Sequence, residues 1–181
     1  MKIDHVLFKE CPRTKAKVCE CDSVTSLSEA NETVNATSEL IHSDTVKGTI
    51  KFTQQPGGPT VITGEITGVE PGEHGFHIHE FGDLSGGCDT AGAHYNPDNV
   101  DHGDLEEGHV GDLGNVTANE EGVVTLDISA SRVDLSGDRS VVGRSIIIHS
   151  DRDDLGLGGD AESIKTGNAG ERLACGVIVL S

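Results

Sequence analysis

From Thr45 to the C-terminus, apolar and polar residues alternate in short runs broken by Gly, Pro, Asn and Asp. A period of two marks a strand that turns one face to a core. It predicts strands over Val46–Thr53 and Val61–Val69, joined through Pro56-Gly57-Gly58-Pro59 into a hairpin. A turn at Glu70-Pro71-Gly72-Glu73 leads into a strand carrying His77 and His79. Further strands are predicted over Gly114–Ala118, Val123–Ile128, Ser145–His149 and Cys175–Leu180, with turns at Asn119–Gly122 and Asp134–Arg139. Two long loops, one running through the histidines and one over 151–172, separate some of these strands. No stretch has the period of a long helix, so the chain predicts an all-β barrel or sandwich.

Upstream of Thr45 the rhythm fades. Residues 1–13 read as a tail, and Lys15–Cys21 alternates enough to be a first strand of one domain spanning 14–181. Residues 22–44, rich in Ser, Thr, Asn and Glu, read as a solvated insert with a helical turn near Leu27–Ala30.

Composition narrows the function. The chain has 181 residues, 24 Gly and 3% aromatics, which suits many turns around an interior of Val, Ile and Leu. A formal net charge of −18 argues against nucleic acid and anionic membrane surfaces as partners. No apolar run approaches the roughly 20 residues of a membrane span. Charge breaks Met1–Lys9, so no signal-peptide apolar region stands there. Sequons at Asn31 and Asn35 in the polar insert point to an extracellular protein whose leader has been removed; a cytoplasmic protein is the alternative. A third sequon starts at Asn115. With five cysteines (Cys11, Cys19, Cys21, Cys88 and Cys175), at least one thiol is free or bonded between chains.

The candidate chemistry lies between His74 and Asp112. His77 and His79 share one face of a strand, and His94, His102, His109 and Asp112 follow among turn residues. His149 ends a β-branched run. His77, His79, His94 and His149 make a four-imidazole set suited to Cu(II). His94, His102, His109 and Asp112 make a three-nitrogen, one-carboxylate set suited to a closed, structural Zn(II) site. His94 belongs to both sets, because an imidazolate can bridge two metals.

Four segments closely resemble signatures of the copper/zinc superoxide dismutase family. They are Gly75-Phe76-His77-Ile78-His79-Glu80-Phe81-Gly82, Ala91-Gly92-Ala93-His94-Tyr95-Asn96-Pro97, His109-Val110-Gly111-Asp112-Leu113-Gly114-Asn115, and the run from Gly167 to Gly176. The resemblance covers about Thr45 to the C-terminus. It implies an eight-stranded Greek-key β-barrel, with two long loops forming the metal site, that converts superoxide to oxygen and hydrogen peroxide. It implies copper on His77, His79, His94 and His149, and zinc on His94, His102, His109 and Asp112. It pairs Cys88 with Cys175 in a disulfide, and makes Asp153 the carboxylate that bonds His77 and His102 together. His74 becomes a structural histidine. Arg172 becomes the anion guide beside copper, His94 a proton donor as well as a ligand, and Lys165, Thr166 and Glu162 the residues shaping the channel. Gly82, Val142, Gly143 and Leu180 match a homodimer contact.

The chain also departs from that pattern. His102 and His109 stand two residues closer than in many members. Ala161 replaces a common channel glutamate, Leu157 a frequent lysine, and Glu171 adds a negative charge beside Arg172. These changes imply an altered steering field. The alternative to an enzyme is an acidic secreted relative that carries or buffers metal; a copper chaperone, suggested by Cys19-Glu20-Cys21, fits less well because chaperones of this family tend to lose copper ligands.

Overall fold

The computed structural model describes residues 32–181. Its strands are β1 (Val34–Leu40), β2 (Lys47–Gln54), β3 (Thr60–Thr67), β4 (Gly72–His79), β5 (Ser85–Cys88), β6 (Asp112–Ala118), β7 (Val123–Ala130), β8 (Ser145–His149), β9 (Arg172–Val177) and β10 (Val179–Leu180). A single turn of helix, α1 (Ser163–Thr166), lies in the second long loop. All strand pairs are antiparallel, in the order β10-β1-β2-β3-β7-β6-β4-β8-β9. Only Ile178 separates β9 from β10. β10 pairs with β1, and Ile41 just after β1 bridges Cys175 of β9. The sheet therefore closes on itself, and with β9 and β10 counted as one interrupted strand it is an eight-stranded barrel.

The topology is a Greek key. Strands β1, β2 and β3 follow one another as neighbours, then the chain skips two places to lay down β4. β6 and β7 fill the gap, and the chain skips again to β8. Inward side chains of alternate residues fill the barrel: Ile50 and Phe52 of β2, Ile62 and Ile66 of β3, Phe76 and Ile78 of β4, Ile146 and Ile148 of β8.

β1 corrects the expected insert. Part of the 22–44 stretch is the strand that closes the barrel, with Ala36, Ser38 and Leu40 buried and Asn35 and Glu39 exposed. Two of its three inward residues are small or polar, and that hid the alternation. The expected strand at Lys15–Cys21, the helical turn near Leu27–Ala30, Cys11, Cys19, Cys21 and Asn31 lie outside the described residues.

β4 is the strand that positions the site. From His74 to His79 both of its faces are buried. Phe76 and Ile78 enter the barrel, and the outward His77 and His79 are covered by the long loops instead of water. A disulfide between Cys88 and Cys175 fastens the loop after β4 to β9, and packs with Ala91 and Ile147 in a second small apolar cluster outside the barrel.

Candidate metal centre

Six histidines and Asp112 converge on the outer face of β4. β8 brings His149 alongside through the pairing of His77 with Ile147. The loop after β5 returns past β4 on three backbone bonds: Tyr95 N–H donates to Ile78 O at 2.8 Å, Ile78 N–H to Gly111 O at 2.8 Å, and Gly111 N–H to Tyr95 O at 2.9 Å. These set His94 opposite His79 and bring His109 and Asp112 to the same place. His102 N–H donates to Ile164 O at 2.9 Å, linking the two long loops. All six rings and the Asp112 carboxyl are buried.

Among the described residues, besides the trio His77, His102 and Asp153, two groups of four have donor atoms that all lie within 4.8 Å of one another: His77, His79, His94 and His149, and His94, His102, His109 and Asp112. The His94 ring is the common member, with its centroid 4.0 Å from that of His77 and 5.6 Å from that of His109.

The hydrogen bonds decide which nitrogens stay bare. His77 Nε2–H donates to Asp153 Oδ2 at 2.7 Å and His102 Nε2–H to Asp153 Oδ1 at 2.8 Å. A carboxylate only accepts, so both rings carry a proton on Nε2, which leaves Nδ1 as the nitrogen that can ligate. Both Nδ1 atoms are buried with no hydrogen-bond partner among the described residues; that of His102 lies 2.9 Å from Asp112 Oδ2 without the alignment of a hydrogen bond. His79 Nδ1–H donates to Gly92 O at 2.9 Å and His149 Nδ1–H to Gly170 O at 3.3 Å, so their Nε2 lone pairs face each other, 3.3 Å apart. Buried lone pairs aimed at one another are unfavourable unless a cation stands among them. Around Asp112, His94 Nδ1 lies at 2.8 Å and His109 Nδ1 at 3.1 Å from Oδ1. The donor set fits metal.

Electrostatics agree. Burial, then the neighbouring His94, hold His79 well below the ordinary histidine pKa. Burial, then His77 and His94, do the same to His149. Burial and His77 push His94 down to about 3. These rings are neutral at pH 7, as metal ligation requires. His102 goes the other way: burial opposes its charge, but the attraction of the Asp112 and Asp153 carboxylates outweighs burial and raises it to about 9, so without metal this ring also holds a proton on Nδ1 at pH 7, which a bound cation would displace. Burial also resists ionisation of Asp112 and Asp153, yet their histidine partners hold both carboxyls well below the usual range.

A cleft of about 700 Å³ opens onto His79, His94, His149 and Arg172. Lys165, Thr166 and Glu162 line it as well. Arg172 is half-buried, and its Nη1 donates to Cys88 O at 2.8 Å while Nη2 donates to Gly92 O at 2.6 Å. The disulfide therefore anchors the carbonyl that holds the guanidinium. Lys165 Nζ lies 3.1 Å from Glu162 Oε1, an exposed pair that offsets part of the lysine's field. Leu157 is 84% exposed, and Ala161 and Glu171 are also exposed. His74 stays apart from both groups: its ring nitrogens meet His149 O at 2.9 Å and Glu70 O at 2.8 Å.

Two supports were not visible in the sequence. Asn115, read there as part of a sequon, grips the backbone of Asp153: its Nδ2 donates to Asp153 O at 2.8 Å, and its Oδ1 accepts from Asp153 N–H at 2.8 Å. Gly167 adopts φ 65°, and a Cβ there would overlap Asp153 Oδ1 and His102 Nε2. Nothing in a single sequence marks these roles, since both act through backbone or through the lack of a side chain.

A closed Greek-key barrel with two donor clusters sharing one imidazole defines a binuclear metalloprotein. The model of the copper/zinc superoxide dismutase (SODC) family matches residues 46–178, and the chain belongs to that family. It is 52% identical over 147 residues to superoxide dismutase [Cu-Zn] A of Xenopus laevis, covering 80% of this chain and 97% of that protein. It is 50% identical over 147 residues to superoxide dismutase [Cu-Zn] of Onchocerca volvulus, covering 78% of this chain and 93% of the relative. Copper and zinc are thus the metals its clusters are built to hold.

Proposed function

We propose that the chain dismutes superoxide to oxygen and hydrogen peroxide, with copper held by His77, His79, His94 and His149 and zinc by His94, His102, His109 and Asp112. The observation that carries this reading is the shared His94, standing between two sets of buried donors. Copper bound there would supply the one-electron couple that dismutation needs.

The protein's own groups do the rest. Asp153 fixes the tautomers of His77 and His102 at once. His94 keeps Nδ1 on the Asp112 side, and its other nitrogen would serve as copper ligand and as proton donor. Arg172, fixed by two carbonyls at the cleft, holds a small anion by charge and by the N–H groups it has left. The cleft walls at Lys165, Thr166 and Glu162 shape the local field against a net charge of −18. A carrier of metal has no use for an anion guide, so Arg172 favours the enzyme.

Two further features belong to this reading. Gly82, Val142, Gly143 and Leu180 form a homodimer contact, supported by the exposed apolar residues Phe81, Val179 and Leu180 beside them. Sedimentation of the wild type as a dimer and of Phe81→Asp as a monomer would support it; a wild-type monomer would exclude it. The protein is secreted, and Asn35, exposed on β1, is a candidate glycan site. No mass change on glycosidase treatment of natural protein would count against that.

The enzyme reading is tested with Arg172→Ala. At unchanged copper content, its dismutation rate falls on the order of 10-fold and loses part of its salt dependence. A variant equal to wild type in both rate and salt response contradicts the role given to Arg172.

A further inference from the structure

Asp98, Arg132 and Arg139 form a small ionic hub outside both donor clusters. Arg139 grips Asp98 with both ends of its guanidinium, Nη1 to Oδ1 at 2.6 Å and Nη2 to Oδ2 at 2.8 Å. Arg132 Nη2 donates to the same Oδ2 at 3.2 Å. Its Nη1 reaches the other way, donating to Gly108 O at 2.5 Å and Glu106 O at 3.2 Å. Gly108 immediately precedes His109, and Asp98 sits between His94 and His102 in the chain. The Tyr95 hydroxyl adds a bond to Arg139 O at 3.3 Å, next to His94. Gly108 itself is buried, and a Cβ on it would crowd Asp112 Oδ2 and Gly103 N.

The loop that carries His94, His102 and His109 is therefore tied at Tyr95, Asp98, Glu106 and Gly108 to the segment after β7. One residue, Arg132, makes three of those links, and its side chain is only 24% exposed. Two cations share one carboxylate, so the hub is not a balanced surface ion pair. Its geometry serves the carbonyls as much as the charge.

We infer that Arg132 is a positioning residue for the zinc half of the site: by clamping Gly108 O and Asp98 together it sets the place of His109 before metal arrives. This rests on the ligand assignment proposed above. A lysine cannot replace it, because a point charge cannot span Asp98 and Gly108 O as a planar fork does.

The test compares wild type, Arg132→Gln, Arg132→Lys and His109→Gln. Zinc release to a chromophoric chelator is timed, and melting is measured with and without zinc. Both Arg132 variants are expected to release zinc on the order of 10-fold faster. The melting shift produced by zinc is expected to shrink in them, whereas a merely structural residue would lower both melting temperatures equally. Should Arg132→Gln fail to fold, Arg132→Lys keeps most of the attraction to Asp98 and carries the comparison. Zinc release at the wild-type rate from a folded Arg132 variant overturns the inference. Zinc held equally well by His109→Gln and wild type overturns the ligand assignment instead, and the inference with it.

Discussion

His79 Nε2 and His149 Nε2 stand 3.3 Å apart, with each ring's Nδ1–H already given to a backbone carbonyl. Neither nitrogen can donate to the other, so two lone pairs are held face to face in a buried place. Folding assembles this arrangement at a cost, and a bound cation recovers it.

Metal removal should therefore lower stability strongly. With free metal at about a thousandfold over Kd, binding adds about 4 kcal/mol per site, or on the order of 10 °C in melting temperature for a chain of this size. Calorimetry before and after chelation measures it. Equal melting temperatures would mean that the clusters do not hold metal under those conditions.

Asp153 couples the two halves of the site through its two oxygens, so its loss should be felt at both metals. Asp153→Asn keeps the shape, but one arm of its amide cannot accept an N–H, and one histidine loses tautomer control. We expect metal affinity to fall 10- to 100-fold, read by competition with chelators of known affinity. Affinities unchanged for both metals would show that the backbone alone orients the rings.

The metal-free protein should show a stability maximum near pH 6.5. His79, His94 and His149 have depressed pKa values in the fold, so their contribution is whole above the unfolded value of about 6.5 and is lost as pH falls toward about 3 for His94. His102 is raised to about 9; its contribution is whole below about 6.5 and is lost as pH climbs through 9. Melting temperatures from pH 5 to pH 9.5 with chelator present give the curve. A monotonic rise to pH 9.5 would contradict the assignment for His102.

Ser38 is a liability in the core. Its hydroxyl is buried on β1 and has no hydrogen-bond partner among the described residues. Ser38→Ala removes that group, and we expect a gain of roughly 1 kcal/mol, about 3 °C in melting temperature. A loss of similar size would mean the hydroxyl has a partner, such as a buried water.

Much of the site could be read before the fold was known, for a simple reason. A strand's period of two puts His77 and His79 on one side, and donor chemistry sorts the remaining residues into two sets. Those residues do converge. β1 was not readable, because Ala36 and Ser38 fill inward positions without an apolar signature. Asn115 and Gly167 were missed because they work through backbone contact and the absence of a Cβ. Closure of the barrel depends on strand neighbours far apart in sequence, such as Ala36 and Leu180, which alternation cannot specify.

The most direct test of the account is metal content and superoxide consumption on one purified sample. We predict close to one copper and one zinc per chain, with rapid dismutation that disappears on chelation and returns when copper is restored. Full loading with both metals and negligible turnover would contradict it, and would leave a metal carrier as the better description.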